Sequence, residues 1–175
     1  MLWERMLRAA RLERGLYEEV ERDANATSQA LLVVVIVAVL SGIGSGLKLG
    51  LIALIGGIVV ALVAWAIWSL ITYWVGTTFF GGKATYGELL RCVGFANTPN
   101  ALGLFAFVPG LGGLIVLIGS IWALVAMIVG IREALDVTTG QAIITAVIGW
   151  VVIMIVMAVL ALFGLGAGIG LGMMA

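Results

Sequence analysis

The residues able to do chemistry in this chain are few, and most crowd into one stretch, 81–100, GGKATYGELLRCVGFANTPN. Lys83, Glu88 and Arg91 sit there at spacings that suit a short helix, followed by Asn97, Thr98, Pro99 and Asn100. What the rest lacks narrows the chemistry further. The chain has no histidine and a single cysteine, Cys92. Ser-His and Cys-His couples and the HExxH zinc site are therefore excluded, as is an intrachain disulfide. An aspartyl dyad needs two carboxylates facing each other, and the only aspartates are Asp23 and Asp136. No Cys/His/Asp cluster has metal-ligand spacing. The glycine-rich end GLGAGIGLG has a spacing like GxGxxG, but no strand precedes it and no acidic partner follows. The expectation is a protein that is not an enzyme and has no cofactor and no metal.

Composition sets the elements that must position these residues. Of 175 residues, 63% are hydrophobic and 10% charged, with mean hydropathy +1.26. Soluble proteins carry about 25% charged residues, and a soluble domain this small has too little interior for so much apolar surface. The chain is an integral membrane protein. Its net charge of zero gives no reason to expect nucleic acid.

A bilayer core of about 30 Å asks for about 20 helical residues. Spans are expected at about 28–46, 51–76, 92–108, 113–131 and 141–163. The third, 92–108, is short and carries Asn97, Thr98, Pro99 and Asn100 near its middle. Pro99 opposes a continuous helix, and such breaks persist in membranes only against protein or a wet cavity. A short interrupted segment also points to binding sites in transporters. The structural alternative is a kinked span whose asparagines clasp neighbouring helices. Either way, Asn97, Thr98 and Asn100 are expected to face the bundle, with amides or water answering the carbonyl of Phe95, freed by Pro99.

Residues 1–28 hold five of the nine basic and six of the nine acidic residues. Leu2, Trp3, Met6, Leu7 and Ala10 recur at helical spacing, which predicts an amphipathic helix lying in the headgroup region. The three parts are then a cytoplasmic arm (1–28), a five-span region (29–165) and a Gly-rich tail (166–175). With five spans and the N-terminus inside, eight basic residues fall on the cytoplasmic side and only Lys48 outside, as the positive-inside rule favours. The protein is expected in the cell membrane as a multi-pass protein, with its C-terminus outside. A cytoplasmic face would gather Glu18, Glu19, Lys83, Tyr86, Glu88, Arg91, Arg132, Glu133 and Asp136. Arg91, Glu133 or Asp136, and one of Glu18 or Glu19 are expected there within ion-pair or water-bridged reach.

At these residues the chain resembles the Yip1 family of five-span membrane proteins, over about 16–163. The resemblance is carried by LYEEVERD before the first span, FGGKATYGELLR, GFANTPNALG and WALVAMIVGIREALDVTTGQA. It implies five helices and a cytoplasmic N-terminus. In eukaryotic members it implies a role in membrane traffic with small prenylated GTPases and partner family members. The family's GK-x-x-[FY]-G turn matches 82–87, placing its lysine at Lys83 and its acidic position at Glu18 or Glu19. The short arm resembles the prokaryotic branch, where such GTPase partners are not expected. Two functions follow as expectations. One is a scaffold or adaptor that organises membrane or docks a partner, its own kind or another membrane protein, through the cytoplasmic face. The other is a lipid-handling protein, or a conduit for neutral solutes, using the interrupted third span. Clustered unpaired charge on the face would favour the first, and a cavity reaching Asn97 and Asn100 the second.

Overall fold

The computed structural model describes residues 1–45 and 50–172, without the side chains of Ala53 and 156–172. Lys48 and the last three residues of the tail lie outside the described residues. Among the described residues the chain is helical throughout, in the order α1 (Leu2–Ala10), α2 (Arg14–Arg22), α3 (Ala26–Gly44), α4 (Gly50–Phe80) and α5 (Tyr86–Ala96). A 3₁₀ helix (Thr98–Phe107), α6 (Gly112–Leu135) and α7 (Thr139–Gly172) follow. Three of these, α3, α4 and α6, are each long and apolar enough to cross a membrane. In hydrocarbon every backbone N–H and C=O must bond within its own segment, and the helix is the element that does this. Helix α7 runs on through the Gly-rich stretch to Gly172, although glycine has low helix propensity.

The central segment differs most from its sequence expectation. Helix α5 begins at Tyr86, six residues before the expected span. Thr85 accepts a hydrogen bond from the Glu88 N–H while the Glu88 carboxylate accepts from the Thr85 N–H, a reciprocal cap. Such a cap satisfies two of the orphan donors at a helix start. At Pro99 the chain changes to 3₁₀ geometry without turning back. Close approaches at glycines trace its path. The α-carbon of Gly130 on α6 faces the Cys92 carbonyl, Gly119 the Pro99 carbonyl, and Gly112 the Ala106 carbonyl. The 18 steps from Gly112 to Gly130 rise about 27 Å at 1.5 Å per residue, and the central segment runs antiparallel along all of it. It also runs parallel to α3, with Gly94 against Ala30 and Gly103 against Ser41. A 3₁₀ helix rises about 2 Å per residue, so the interrupted segment covers distance that its residue count understates.

The N-terminal arm is two helices, not one, and both are built into the core. Met6, Ala9, Leu16, Tyr17 and Val20 are buried in one cluster with Leu89, Cys92, Phe95, Ile131 and Leu135. The α1–α2 corner puts Leu12 at a positive φ of 61°. Trp122 on α6 donates from Nε1 to the Ala10 carbonyl at 2.8 Å, closing the end of α1. Trp3 stays 67% exposed. The arm's periodicity was legible, but the polar neighbours of its apolar stripe hid how fully the stripe is covered.

Candidate functional site

Two places collect the residues with chemistry, one at each end of the central segment. The first is the end of the bundle where α2, the start of α5 and the end of α6 meet. Arg91, only 8% exposed, reaches from α5 to the last turn of α2. Its Nε donates to the Val20 carbonyl at 2.8 Å, Nη2 donates to the Glu21 carbonyl, and Nη1 donates to Thr27 Oγ1 at 3.3 Å. Carbonyls in a last helical turn lack intrahelical donors and carry the negative end of the helix dipole, so a guanidinium is a fitting cap. The expected ion pairs of Arg91 are therefore replaced. Among the described residues its partners are two backbone carbonyls and a hydroxyl, and no carboxylate lies within 4.0 Å. Glu19 instead pairs within the arm, with Arg5 at 2.8 Å and Arg8 at 2.6 Å. These contacts, led by the Arg8 hydrogen bond, hold its carboxyl below the ordinary glutamate range. Glu133 sits 3.6 Å from Arg132 and 3.8 Å from Arg14.

The glycine-rich turn before α5 is docked onto the end of α6. The Lys83 N–H donates to the Leu135 carbonyl at 3.0 Å, and the Gly82 N–H to the Gly76 carbonyl at 3.0 Å. A Cβ on Gly82 would stand 2.8 Å from a Leu135 methyl and 3.1 Å from the Leu135 carbonyl oxygen, so a larger residue would force the turn or that side chain to shift. Asp136 ends α6 in the left-handed region at φ 53°, which aspartate tolerates better than most residues. The side chains of Lys83, Glu18 and Asp136 are exposed. Tyr86 is half-buried, its hydroxyl donating to the Ala66 carbonyl of α4 at 2.9 Å.

Several charges of this end act on Glu21 of α2. Burial pushes its carboxyl above the ordinary range, and the negative charges of Glu88, Asp136 and Glu18 push the same way against Arg22. Carboxylates from α2, α5 and the end of α6 therefore share one face. Glu88 serves both this face and the cap of α5.

The second place is inside the bundle. Thr98 and Pro99 are buried, Asn97 and Asn100 partly so. Thr98 Oγ1 donates to the Phe95 carbonyl at 2.7 Å, so a hydroxyl answers the acceptor freed by Pro99. The two amides bond each other, Asn100 Nδ2 to Asn97 Oδ1 at 2.6 Å. Both line a cavity of about 930 Å³ between α3, α4, α6 and the central segment. Ser41 and Ser45 of α3 and Ser120 of α6 add hydroxyls, while Gly42, Gly57 and Gly103 supply room. A second cavity of about 290 Å³ shares Asn97 and Ala61 with it and is lined by Trp65 and Trp68. The serines and Gly57 went unnoticed in the sequence, where single small residues in apolar helices look like packing. Among the described residues, no group of three or more Cys, Asp or Glu could hold a metal ion.

Long apolar helices packed side by side, with amides enclosed among them, define a helical membrane protein. The family model of the Yip1 domain matches residues 15–161. The chain belongs to the Yip1 family. No curated protein and no solved structure matches it.

Proposed function

We propose that the chain is a five-span, non-enzymatic Yip1-type adaptor that docks a basic protein segment on an acidic cytoplasmic cap. The carrying observation is the shared field at Glu21. The charges of Glu88, Asp136 and Glu18 act together on Glu21, against Arg22, while Arg91 is engaged by the Val20 and Glu21 carbonyls. A cluster of carboxylates attracts and orients a basic partner even with Lys83 and Arg22 exposed beside it. The supporting frame is stiff, because Arg91 pins α2 and the Gly82–Lys83 turn is pinned to α6. Of the nine face residues expected from sequence, Glu18, Lys83 and Asp136 are free for a partner, being exposed and outside the ion pairs of the described residues.

Five spans are supported by the path of the central segment, which keeps beside α6 for about 27 Å, close to the roughly 30 Å hydrocarbon thickness. In that topology the arm and the starts of α5 and α7 are cytoplasmic, and Trp3 lies at the headgroups. Cysteines at Thr85 and Thr138 should label from the cytoplasm, and a reporter after Ala175 should act outside. A reporter active on the same side as Thr85 leaves an even number of crossings and sinks the topology. For the cap, a photocrosslinking amino acid at Glu18 or Asp136 should give a discrete adduct in native membranes, absent from the lipid-exposed control Ile55. Loss of that adduct with E21K is expected. An adduct indifferent to the reversal, or equal at Ile55, would remove the adaptor reading.

The lipid-handling reading is favoured by a different observation, the cavity that reaches Asn97 and Asn100. The two lie at different places in the bundle and are independent.

A further inference from the structure

The cavity walls carry a consistent chemistry. Among the described residues lining it none is charged, and the polar ones are two amides and three serines. Ser45 and Ser120 donate to the carbonyls of Gly42 and Val116 in their own helices, leaving their oxygens as acceptors. The Asn97–Asn100 bond uses one donor and one acceptor. Whichever way the amides are turned, an NH₂ group and a carbonyl oxygen remain. Since Thr98 already answers the Phe95 carbonyl, the amide pair is not consumed in repairing the proline break. Polar groups left over in hydrocarbon are costly and mark function by default.

The cavity also has depth and a mouth. Along α3 it runs from Val34 to Ser45, and along α4 from Gly50 to Ala61. Each stretch rises about 16 Å, roughly half the hydrocarbon thickness. Ser45, Gly50, Gly57, Ala106 and Ser120 on its rim are exposed, so it opens on the surface of the bundle. Its polar pair stands at the inner end, away from the helix ends at Gly44 and Gly50. A volume of 930 Å³ is within the range of about 300–1,000 Å³ typical of small-molecule sites.

We infer that this cavity is a binding site for a neutral membrane lipid, one whose head offers hydroxyl or carbonyl oxygens and no phosphate or ammonium. A charged head cannot leave the interface for the bilayer interior without heavy cost, and no described residue beside the Asn97–Asn100 pair would neutralise it there. An uncharged head can descend to the amide pair, donating to the free carbonyl oxygen and accepting from the free NH₂, while its chain fills the apolar walls. The inference rests on the lipid-handling reading and is independent of the acidic cap.

The test uses the full chain in phosphatidylcholine nanodiscs with two diazirine lipids of identical chains, a diacylglycerol and the corresponding phosphatidic acid. Diacylglycerol should label peptides of α3, α4 and the 98–107 segment, and phosphatidic acid should label them about tenfold less, equivalent to about 1.4 kcal/mol. Asn100→Leu should lower diacylglycerol labelling by a similar factor. Gly57→Trp should do the same by filling the cavity, where a Cβ at Gly57 meets nothing within 4 Å, with thermal unfolding in detergent checking that the fold is kept. Equal labelling by the two lipids overturns the selectivity for a neutral head and leaves a lipid cavity standing. Labelling that survives both substitutions, or no labelling above that at Val147, exposed on α7 and away from the cavity lining, overturns the site and the lipid-handling reading with it.

Discussion

Replacing Arg91 by methionine separates a hydrogen-bonded clamp from an ion pair. Methionine keeps the length and apolar stem of arginine and removes the guanidinium. Three bonds are lost, to the Val20 and Glu21 carbonyls and to Thr27 Oγ1. Hydrogen bonds involving a charged partner contribute about 1.5–3 kcal/mol each. Taking the lower figure for the two carbonyl bonds, and nothing for the longer one, gives about 3 kcal/mol. At 1.4 kcal/mol per factor of ten, the population with α2 undocked rises by about two orders of magnitude. Limited trypsin digestion under native conditions reads that population directly when opening is fast, through cleavage after Arg14 and Arg22. Arg91→Lys should recover only part of the protection, since an ammonium lacks the planar fork that reaches two carbonyls at once. Glu133→Gln and Asp136→Asn should leave the arm protected, and high salt should change little, because the partners of Arg91 are carbonyls. Protection unchanged in Arg91→Met would refute the clamp. Equal loss in Glu133→Gln or Asp136→Asn, with strong salt dependence, would restore the ion-pair account.

Gly94→Val should destabilise the bundle by about 1–3 kcal/mol, because a Cβ at Gly94 already stands 2.7 Å from that of Ala30; thermal unfolding in detergent measures this, and unchanged stability would mean α3 and α5 do not pack there. Thr98→Val keeps the shape and removes the donor to the Phe95 carbonyl, for an expected loss of about 1–3 kcal/mol in the same assay. For pH, the raised pKa of Glu21 in the fold means that its ionised form is worse off folded than unfolded. That penalty is absent below the ordinary glutamate pKa of about 4.3 and sets in as pH rises through the higher folded value. Glu21→Gln should therefore raise stability at pH 7 and flatten the decline above the glutamate range; the same pH slope in both proteins would show that Glu21 is not strained. Glu19 has the opposite sign, its pKa being lowered, so its contribution disappears as pH falls through the acidic range, and Glu19→Gln should weaken the arm near neutrality more than at low pH.

Much of this protein is determined by sequence alone because the bilayer imposes a simple rule. Apolar runs long enough to cross must be helices, so the positions of α3, α4 and α6 were legible to within a few residues. The break at Pro99 was legible for a similarly local reason, a missing N–H and a fixed φ. So was the short helix around Glu88 and Arg91, although its first residue and its cap were not drawn from the Thr85–Glu88 spacing. The partners of Arg91 could not be read in this way. Carbonyls occur at every residue, so nothing in a sequence marks the two that a guanidinium 70 positions away will cap. The carboxylates that gather around Glu21 come from helices brought together only when the arm folds onto α5 and α6. The cavity is the clearest case. Glycine and serine in an apolar helix read the same whether they let helices touch or hold them apart. Gly103 lies against Ser41, while Gly57 faces open space, and only the packing of four segments around one amide pair decides between contact and a site.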